Sequence, residues 1–225
     1  MRKRKVLVII GTILFALCVI AAIILCVIKC DLEARTRDKI ELYEQENEKY
    51  KDYEVDVAFL GDSLTDWYDL ESYYPEYTVV NRGIAGDTTF GLEDRLKVSA
   101  YDVKPKVVVL LIGINNIDTM FNNYESILKG LKENLSETKI VVVSITPTSK
   151  WLRFRNNRII KSNDKIKALA DKYNYTYVDL YSVLKDSNKN KLNDEYTEDG
   201  LHFNSKGYEV ITATMMPILK KLLLK

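Results

Sequence analysis

Two hydrophobic patterns divide this chain of 225 residues. Residues 6–28 form one run of 23 uncharged positions, whereas the apolar segments after residue 53 are short and alternate with polar ones. A helix over residues 6–28 is roughly 35 Å long at about 1.5 Å per residue, enough to cross a bilayer core of about 30 Å. The run therefore predicts a transmembrane helix, and its lack of charged positions disfavours a core helix.

The residues that flank this run predict its orientation and fate. Four positive charges in residues 1–5 precede the run and Lys29 follows it, which predicts a cytoplasmic N terminus and an extracytoplasmic domain. A signal peptide usually has an apolar region of about 7–15 residues followed by a pair of small residues. This run is longer and leads into Val27-Ile28-Lys29-Cys30-Asp31. The sequence thus favours an uncleaved, single-pass anchor in the cell membrane over a cleaved signal peptide.

The region after the anchor divides into a charged spacer and one domain. Residues 29–53 are densely charged and contain no Gly or Pro, which predicts a short helical stalk. Residues 54–225 form one domain of ordinary size. Its predicted strands cover residues 55–60, 78–81, 107–112, 140–145 and 176–180.

These strands are continuously apolar, as expected when a sheet is covered on both faces. Helical patterns separate the strands, and the last predicted helix covers residues 205–224, with a kink at Pro217. Five strand–helix units in series predict an α/β fold with a doubly wound parallel sheet. Ligands bind such sheets at the carboxyl ends of the strands.

Composition excludes several classes of function. The first thirty residues hold five of the 33 basic residues and no acidic one, so residues 31–225 carry 28 basic and 32 acidic residues, net −4. No basic run stands out there, so no nucleic-acid partner is predicted. With one histidine and no cysteine, this region lacks the ligands of a typical zinc site, which disfavours a metal-dependent deacetylase. The first strand–helix turn lacks the Gly-x-Gly-x-x-Gly of a nucleotide-binding Rossmann domain.

A serine follows the first predicted strand, within Gly61-Asp62-Ser63-Leu64. At a strand-to-helix turn, a serine exposes its hydroxyl, and its N–H at the helix start can stabilise an oxyanion. The same residue types are also ordinary helix caps. Taken alone, the motif supports a nucleophile and a helix cap equally.

The last predicted loop supplies a partner for that serine. His202 is the only histidine in the sequence, and Asp199 lies three residues before it. One helical turn would bring the Asp199 carboxylate to one imidazole nitrogen, leaving the other for a serine hydroxyl. The loop therefore predicts a catalytic triad of Ser63 as nucleophile, His202 as base and Asp199 as the carboxylate that orients it.

With these motifs the sequence resembles the GDSL/SGNH hydrolase family. Four blocks occur in the family's order: Gly61-Asp62-Ser63-Leu64, residues 81–89, Gly113-Ile114-Asn115-Asn116 and Asp199-Gly200-Leu201-His202. The resemblance covers essentially all of residues 54–225. It is greatest to the branch that contains the platelet-activating-factor acetylhydrolase catalytic subunits.

The resemblance implies a flavodoxin-like three-layer α/β/α sandwich and a serine esterase or lipase that needs no cofactor. It also implies an oxyanion hole made by the Ser63 N–H, the Gly86 N–H and the Asn115 side chain. One residue departs from the family's pattern: much of the family has Asp where this chain has Asn116. That difference concerns a supporting contact rather than the triad.

The location of the domain and the chemistry of its loops predict an O-acyl ester as the substrate. An outward-facing domain would meet acylated glycans or lipids of the envelope, and acetyl-like short chains fit the resemblance. Trp151 and Phe154 are expected to contact a sugar or an acyl chain, and three nearby arginines could hold an anionic group. The alternative is that this segment is the start of a helix whose charges are solvated. An acyltransferase with the same Ser–His pair and a non-catalytic surface binding module are the alternatives.

Overall fold

The chain divides into two compact units, Met1–Glu41 and Leu42–Lys225. The computed structural model describes the backbone of residues 2–224 and the side chains of residues 13, 15–24 and 26–224. The basic side chains of the predicted cytoplasmic segment, residues 1–5, lie outside the described side chains.

Helix α1 spans Arg2–Asn47 and accounts for the smaller unit. Over residues 13–28 its described apolar side chains are exposed, as for Phe15 and Val27. Among the described residues, Phe15–Asn47 of this helix is the segment long and apolar enough to cross a membrane. This finding rests on the length and composition of the helix alone, and a signal sequence has the same two properties. The anchor over residues 6–28 therefore stays a prediction.

The larger unit is built on one parallel sheet. Its strands within residues 2–224 are β1 (Val57–Gly61), β2 (Val79–Gly83), β3 (Val107–Leu111), β4 (Lys139–Val143) and β5 (Thr176–Val178). The strand order is β2-β1-β3-β4-β5, with every pair parallel. All five strands were expected from the apolar runs, and the predicted doubly wound α/β fold is confirmed.

Helices cover both faces of the sheet. They are α2 (Ser63–Asp66), α3 (Leu70–Tyr73), α4 (Thr89–Asp94), α5 (Tyr124–Asn134), α6 (Asn156–Tyr173), α7 (Leu180–Leu184) and α8 (Ser205–Leu223). Alternate residues of β1 serve two cores. Ala58 and Leu60 pack with α4, α5 and α6, while Val57 and Phe59 pack with α2, α3, α7 and α8. The result is the three-layer sandwich that the resemblance implies.

The last turns of α1 are part of the larger unit. The Tyr43 side chain is buried, and its hydroxyl donates to the Gly83 carbonyl over 2.6 Å. The buried Arg82 guanidinium lies 4.5 Å from the Tyr43 ring centre and pairs with Glu46. Tyr43, Glu46 and Asn47 share one helix face by their i, i+3 and i+4 spacing. The larger unit thus begins at Leu42, within the stretch over which a spacer is predicted until residue 53.

Candidate active site

Ser63 lies where β1 passes into α2. Asp62 is the N-cap residue, and its carboxylate accepts a hydrogen bond from the Leu64 N–H over 3.1 Å. The capping position is therefore filled by Asp62, and the Ser63 hydroxyl is directed to another partner. A Cβ on Gly61 would lie 2.4 Å from the Leu111 carbonyl oxygen, so only glycine permits this close approach of β1, β3 and α2.

The Ser63 hydroxyl meets His202. Ser63 Oγ lies 3.0 Å from His202 Nε2, and His202 Nδ1 lies 2.6 Å from an Asp199 carboxylate oxygen. The structure thus brings together all three residues of the predicted triad, in the linear order that general-base catalysis requires. The two partners are 139 residues apart in sequence, so this contact depends on the tertiary fold.

The Asp199–His202 pair does not form in a helical turn, and that expectation is wrong. Residues 198–202 form a loop closed by an antiparallel bridge between Thr197 and Phe203. Gly200 has φ +95°, a conformation incompatible with a right-handed helix. The flanking side chains fix the loop, because Leu201 packs against the first core and Phe203 is buried in the second.

The charge state of Asp199 determines the tautomer of His202. Burial acts to raise the pKa of Asp199, but hydrogen bonds from the His202 ring and from the Leu201 and His202 N–H groups lower it to about 2. The carboxylate is therefore ionised and can only accept hydrogen bonds. The proton of the neutral imidazole then lies on Nδ1, which leaves the Nε2 lone pair facing the Ser63 hydroxyl.

Two further predicted residues lie together beside the end of β2. The Asn115 side-chain amide donates to the Asp87 carbonyl over 2.8 Å, so it lies next to the peptide that follows Gly86. Gly86 has φ +83°, which lets the chain turn sharply at this point. Both residues are exposed. An amide carries two N–H donors, and one donor of Asn115 remains for an incoming oxygen.

Buried Arg95 holds this region together, and no sequence motif points to it. Its guanidinium donates to the Gly61 carbonyl (3.0 Å), the Arg82 carbonyl (2.8 Å) and the Asp87 carboxylate (2.8 Å). Burial raises the pKa of Asp87 while the Arg95 charge lowers it. One side chain therefore ties the end of β1, strand β2 and the Gly86–Asp87 turn to one another.

Asn81 and Trp67 are the other residues that sequence reasoning misses. The Asn81 amide donates to the Thr65 and Tyr68 carbonyls, at 2.8 and 3.1 Å, and so fastens the end of α2 to β2. The Trp67 ring lies 4.1 Å from the His202 ring, centre to centre, at an interplanar angle of 39°. Trp67 is four residues after Ser63 at the start of a helix, and this spacing is the signal that could have found it.

Asn116, the departure from the family's pattern, is an internal hydrogen-bond donor. Its amide nitrogen donates to Thr89 Oγ1 over 2.8 Å, and its oxygen accepts from the Thr89 N–H over 3.2 Å. Thr89 Oγ1 donates in turn to Asn123, whose amide donates to Glu93. Asn116 thus begins a directed chain of hydrogen bonds that supports the start of α4.

The two aromatic residues predicted to contact substrate have different positions. Phe154 lines a cleft that also includes Asn115, whereas Trp151 is not among the residues that line this cleft. Both side chains are about three-quarters exposed. They lie in a 3₁₀ segment, Lys150–Arg155, that leads directly into α6. In the part of the chain that the structure describes, no group of three His, Cys, Asp or Glu side chains is arranged to hold a metal ion.

A serine, a histidine and a carboxylate at the carboxyl ends of a parallel sheet define the class of α/β serine hydrolases. The chain belongs to the GDSL-like lipase/acylhydrolase family, whose model matches residues 59–210. It is a serine ester hydrolase of that family, as the four sequence blocks predict.

Named relatives and solved structures agree with this family. The platelet-activating factor acetylhydrolase IB subunit alpha2 of Rattus norvegicus is 28% identical over 184 residues, which cover 77% of this chain and 80% of the relative. A structure from Streptococcus pneumoniae named for platelet activating factor has 26% identity and a TM-score of 0.79, and the match covers 88% of this chain and 99% of that one.

A further relative is longer than this chain. The N-acylneuraminate cytidylyltransferase of Escherichia coli O18:K1:H7 is 31% identical over 208 residues. The match covers 84% of this chain and 47% of that relative, so the chain spans about half the length of the cytidylyltransferase.

Proposed function

We propose that this protein is a membrane-anchored serine esterase that hydrolyses short-chain O-acyl esters with Ser63, His202 and Asp199 as its catalytic triad. The observation that carries the proposal is the pair of contacts on His202: 3.0 Å from Nε2 to Ser63 Oγ and 2.6 Å from Nδ1 to Asp199. Both distances are within hydrogen-bond range, so the serine proton has an acceptor and the acceptor is held in one orientation.

Acylation begins when Ser63 Oγ attacks the ester carbonyl carbon. As the C–O bond forms, the hydroxyl proton moves to His202 Nε2, and the imidazolium is stabilised by the ionised Asp199. The carbonyl oxygen becomes negatively charged. His202 then gives the proton to the leaving alcohol, and the acyl group remains on Ser63 as an ester.

The oxyanion is stabilised by the Ser63 N–H, the Gly86 N–H and the Asn115 amide. The Ser63 N–H is the first of α2 and has no partner within the helix. Asn115 is held by its bond to the Asp87 carbonyl, which fixes one amide hydrogen and orients the other. Donors fixed in advance stabilise the developing charge without reorganisation.

Deacylation repeats these steps with water as the nucleophile. His202 Nε2 takes a proton from the water as its oxygen attacks the acyl-enzyme carbonyl, and then returns a proton to Ser63 Oγ. The free acid leaves and the hydroxyl is restored. An acyltransferase would differ only in accepting an alcohol in place of water, so product analysis with an added sugar alcohol distinguishes the two reactions.

The substrate is proposed to be an acetyl-like ester of an envelope glycan or lipid. The rat relative is named as a subunit of a platelet-activating factor acetylhydrolase. That name supports a small acyl group, such as acetyl, as the group that is removed. A domain tethered outside the membrane would encounter such molecules at the cell surface.

Residues 6–28 are proposed to anchor the domain, residues 29–53 to include the spacer and residues 54–225 to contain the hydrolase core. The support is the uncharged run and the basic residues before it. External protease should digest the domain on intact cells, or on protoplasts where a wall blocks access. A soluble mature chain that begins after residue 25 would contradict the anchor.

Labelling of the full-length protein with a fluorophosphonate tests the nucleophile. We expect covalent labelling at Ser63, with loss of labelling and of ester hydrolysis in Ser63→Ala. The matched control is Ser136→Ala, which alters an exposed serine after α5 and should keep both. Hydrolysis that survives in Ser63→Ala, or that is lost on chelation and rescued by zinc, would refute the serine mechanism.

A further inference from the structure

A cleft of about 690 Å³ adjoins Asn115, and the serine mechanism makes no use of most of it. One wall is the segment after β3, residues 114–119. The other wall is formed by residues 154–161, which lead into α6 and form its first turns. This volume lies within the range of pockets that bind small molecules, about 300–1,000 Å³. The cleft can therefore hold a substantial part of a substrate whose carbonyl oxygen is held by Asn115.

The charged side chains of the cleft are mostly positive. Arg155, Arg158 and Lys161 line it, and Asp118 is the one acidic residue among its described lining residues. Asp118 is already paired with Arg158. The spacing of 155, 158 and 161 places the three cations on one face of the helical segment. The cleft therefore holds two positive charges that no acidic lining residue balances.

The two unbalanced cations have donors to spare. Arg155 is half-buried and makes a long contact of 3.4 Å with the Ile114 carbonyl. A guanidinium has five N–H donors, so four of them are not used in that contact. The Lys161 side chain makes no hydrogen bond or ion pair with the described residues. Arg155 and Lys161 together offer a forked donor and a point charge to a group with several acceptor oxygens.

We propose that this cleft binds an anionic group, a carboxylate or a phosphate, carried by the ester substrate. The proposal rests on the proposed esterase function, because it assigns the substrate of that same site. A neutral acyl chain would bring apolar surface against the two cations without offering them any acceptor. An anion instead forms charge-assisted hydrogen bonds to Arg155 and Lys161.

The two sides of the sheet give this substrate an orientation. Helix α6 packs with the first core, on the side of α4 and α5, whereas α8, which follows the His202 loop, packs with the second core. The cleft therefore adjoins Asn115 on the side of the sheet that α6 covers, and neither Ser63 nor His202 is among its described lining residues. The anionic group binds beyond Asn115, while the bond that breaks lies beside His202.

Matched esters test this inference on the detergent-solubilised full-length enzyme. The first pair is 4-nitrophenyl hydrogen succinate, with its charge in the acyl half, and its neutral methyl ester. The second pair is 3-carboxyphenyl acetate, with its charge in the alcohol half, and its neutral methyl ester. Glycerol-3-phosphate acetylated on oxygen, beside acetylated glycerol, tests phosphate. We expect kcat/KM to favour the charged member of at least one pair.

Substitution of the cleft cations should remove that preference. Lys161→Gln and Arg155→Gln are each expected to lower the ratio of charged to neutral kcat/KM by about tenfold, as for loss of one charge-assisted hydrogen bond. Added salt should weaken the preference in the parent. The matched control is Lys167→Gln, an exposed lysine of α6 outside the cleft lining, which should keep the parent ratio.

The outcomes separate this inference from the function on which it rests. A Ser63-dependent enzyme that prefers the neutral member of every pair, or whose preference survives both cleft substitutions, would overturn the anionic site and leave the esterase intact. Failure to hydrolyse any ester, charged or neutral, would overturn the proposed function itself. Thermal melting of each variant distinguishes a lost contact from a misfolded protein.

Discussion

The two halves of the candidate site are held in different ways. Ser63 and the Gly86–Asp87 turn rest on a buried charge cluster, in which Arg95 and Asp87 are 2% and 7% exposed. The Asp199 and His202 side chains lie nearer the surface, at 54% and 24% exposure, on a loop closed by one backbone bridge. The first half depends on the folded core, and the second depends on local backbone geometry.

This difference predicts how each half should fail. Damage to the buried cluster should cost global stability, because several elements meet there. Damage to the histidine loop should chiefly cost turnover, because the loop carries the proposed base and the Asp199 and His202 side chains are not part of the core. Variants in each half of the site can test this contrast between loss of stability and loss of turnover.

Arg95→Met should be the most destabilising change. It keeps the length of the side chain but leaves the buried Asp87 carboxylate without its cation, which typically costs about 3–5 kcal/mol of unfolding free energy. Chemical denaturation of the full-length protein measures this loss. Lys97→Met is the control, because it removes an exposed cation two residues away that pairs with Asp102 at the surface. Equal stability of the two variants would show that the buried Arg95–Asp87 pair does not stabilise the folded protein more than a surface ion pair does.

Asn115→Ala should reduce turnover more than stability. Loss of one oxyanion donor typically lowers kcat by about 10²–10³, or roughly 2.7–4 kcal/mol of barrier. Asn115 is exposed, so water can replace its bond to the Asp87 carbonyl, and the melting temperature should stay near that of the parent. Steady-state kinetics with 4-nitrophenyl acetate provide the measurement.

The control for this prediction is Asn122→Ala, an exposed asparagine in the same connection between β3 and α5. It should leave both kcat and melting temperature unchanged. If Asn115→Ala keeps its turnover but melts lower, Asn115 supports the loop and the oxyanion hole assigned to it is wrong.

Gly200→Ala tests the histidine loop. A Cβ at this position would lie 2.7 Å from the Ser149 carbonyl oxygen, at φ +95°, so the loop must shift. The strain is of order 1–3 kcal/mol. A misplacement of about 1 Å at the base can cost about 10²-fold in rate. We expect a large fall in kcat with a smaller loss of stability than in Arg95→Met. An unchanged kcat with a larger loss of stability than in Arg95→Met would contradict the proposed difference between the two halves of the site.

Most of the fold and the Asp199–His202 pair could be predicted from the sequence because their signals are local. Largely apolar runs of four to six residues predicted each strand, and the Asp199–His202 pair lies within four residues. Arg95 could not be predicted, because three of its four acceptors come from β1, β2 and the Gly86–Asp87 turn. The burial of Tyr43 was missed for the same reason, since its partner Gly83 is 40 residues away.

Asp62 gives the expected effect that is most specific to the buried half. Its carboxyl is 1% exposed, and one of its oxygens has no hydrogen-bond partner. Burial, opposed by the Leu64 N–H, raises the pKa of Asp62 from 3.8 to about 7. Between pH 3.8 and about pH 7 the folded protein holds a proton on Asp62 that the unfolded chain has lost. The contribution of Asp62 to stability therefore falls as pH rises over this range and is lost above about pH 7.

The Asp62→Asn variant has no carboxyl at this position to titrate. Its melting temperature relative to the parent should therefore rise between pH 5 and pH 8, and Asp69→Asn, which removes an exposed carboxyl, controls for the change in net charge. A parent-minus-variant difference that does not change over this range would mean that Asp62 is ionised in the folded protein, and that the buried half of the site tolerates a second negative charge beside Asp87.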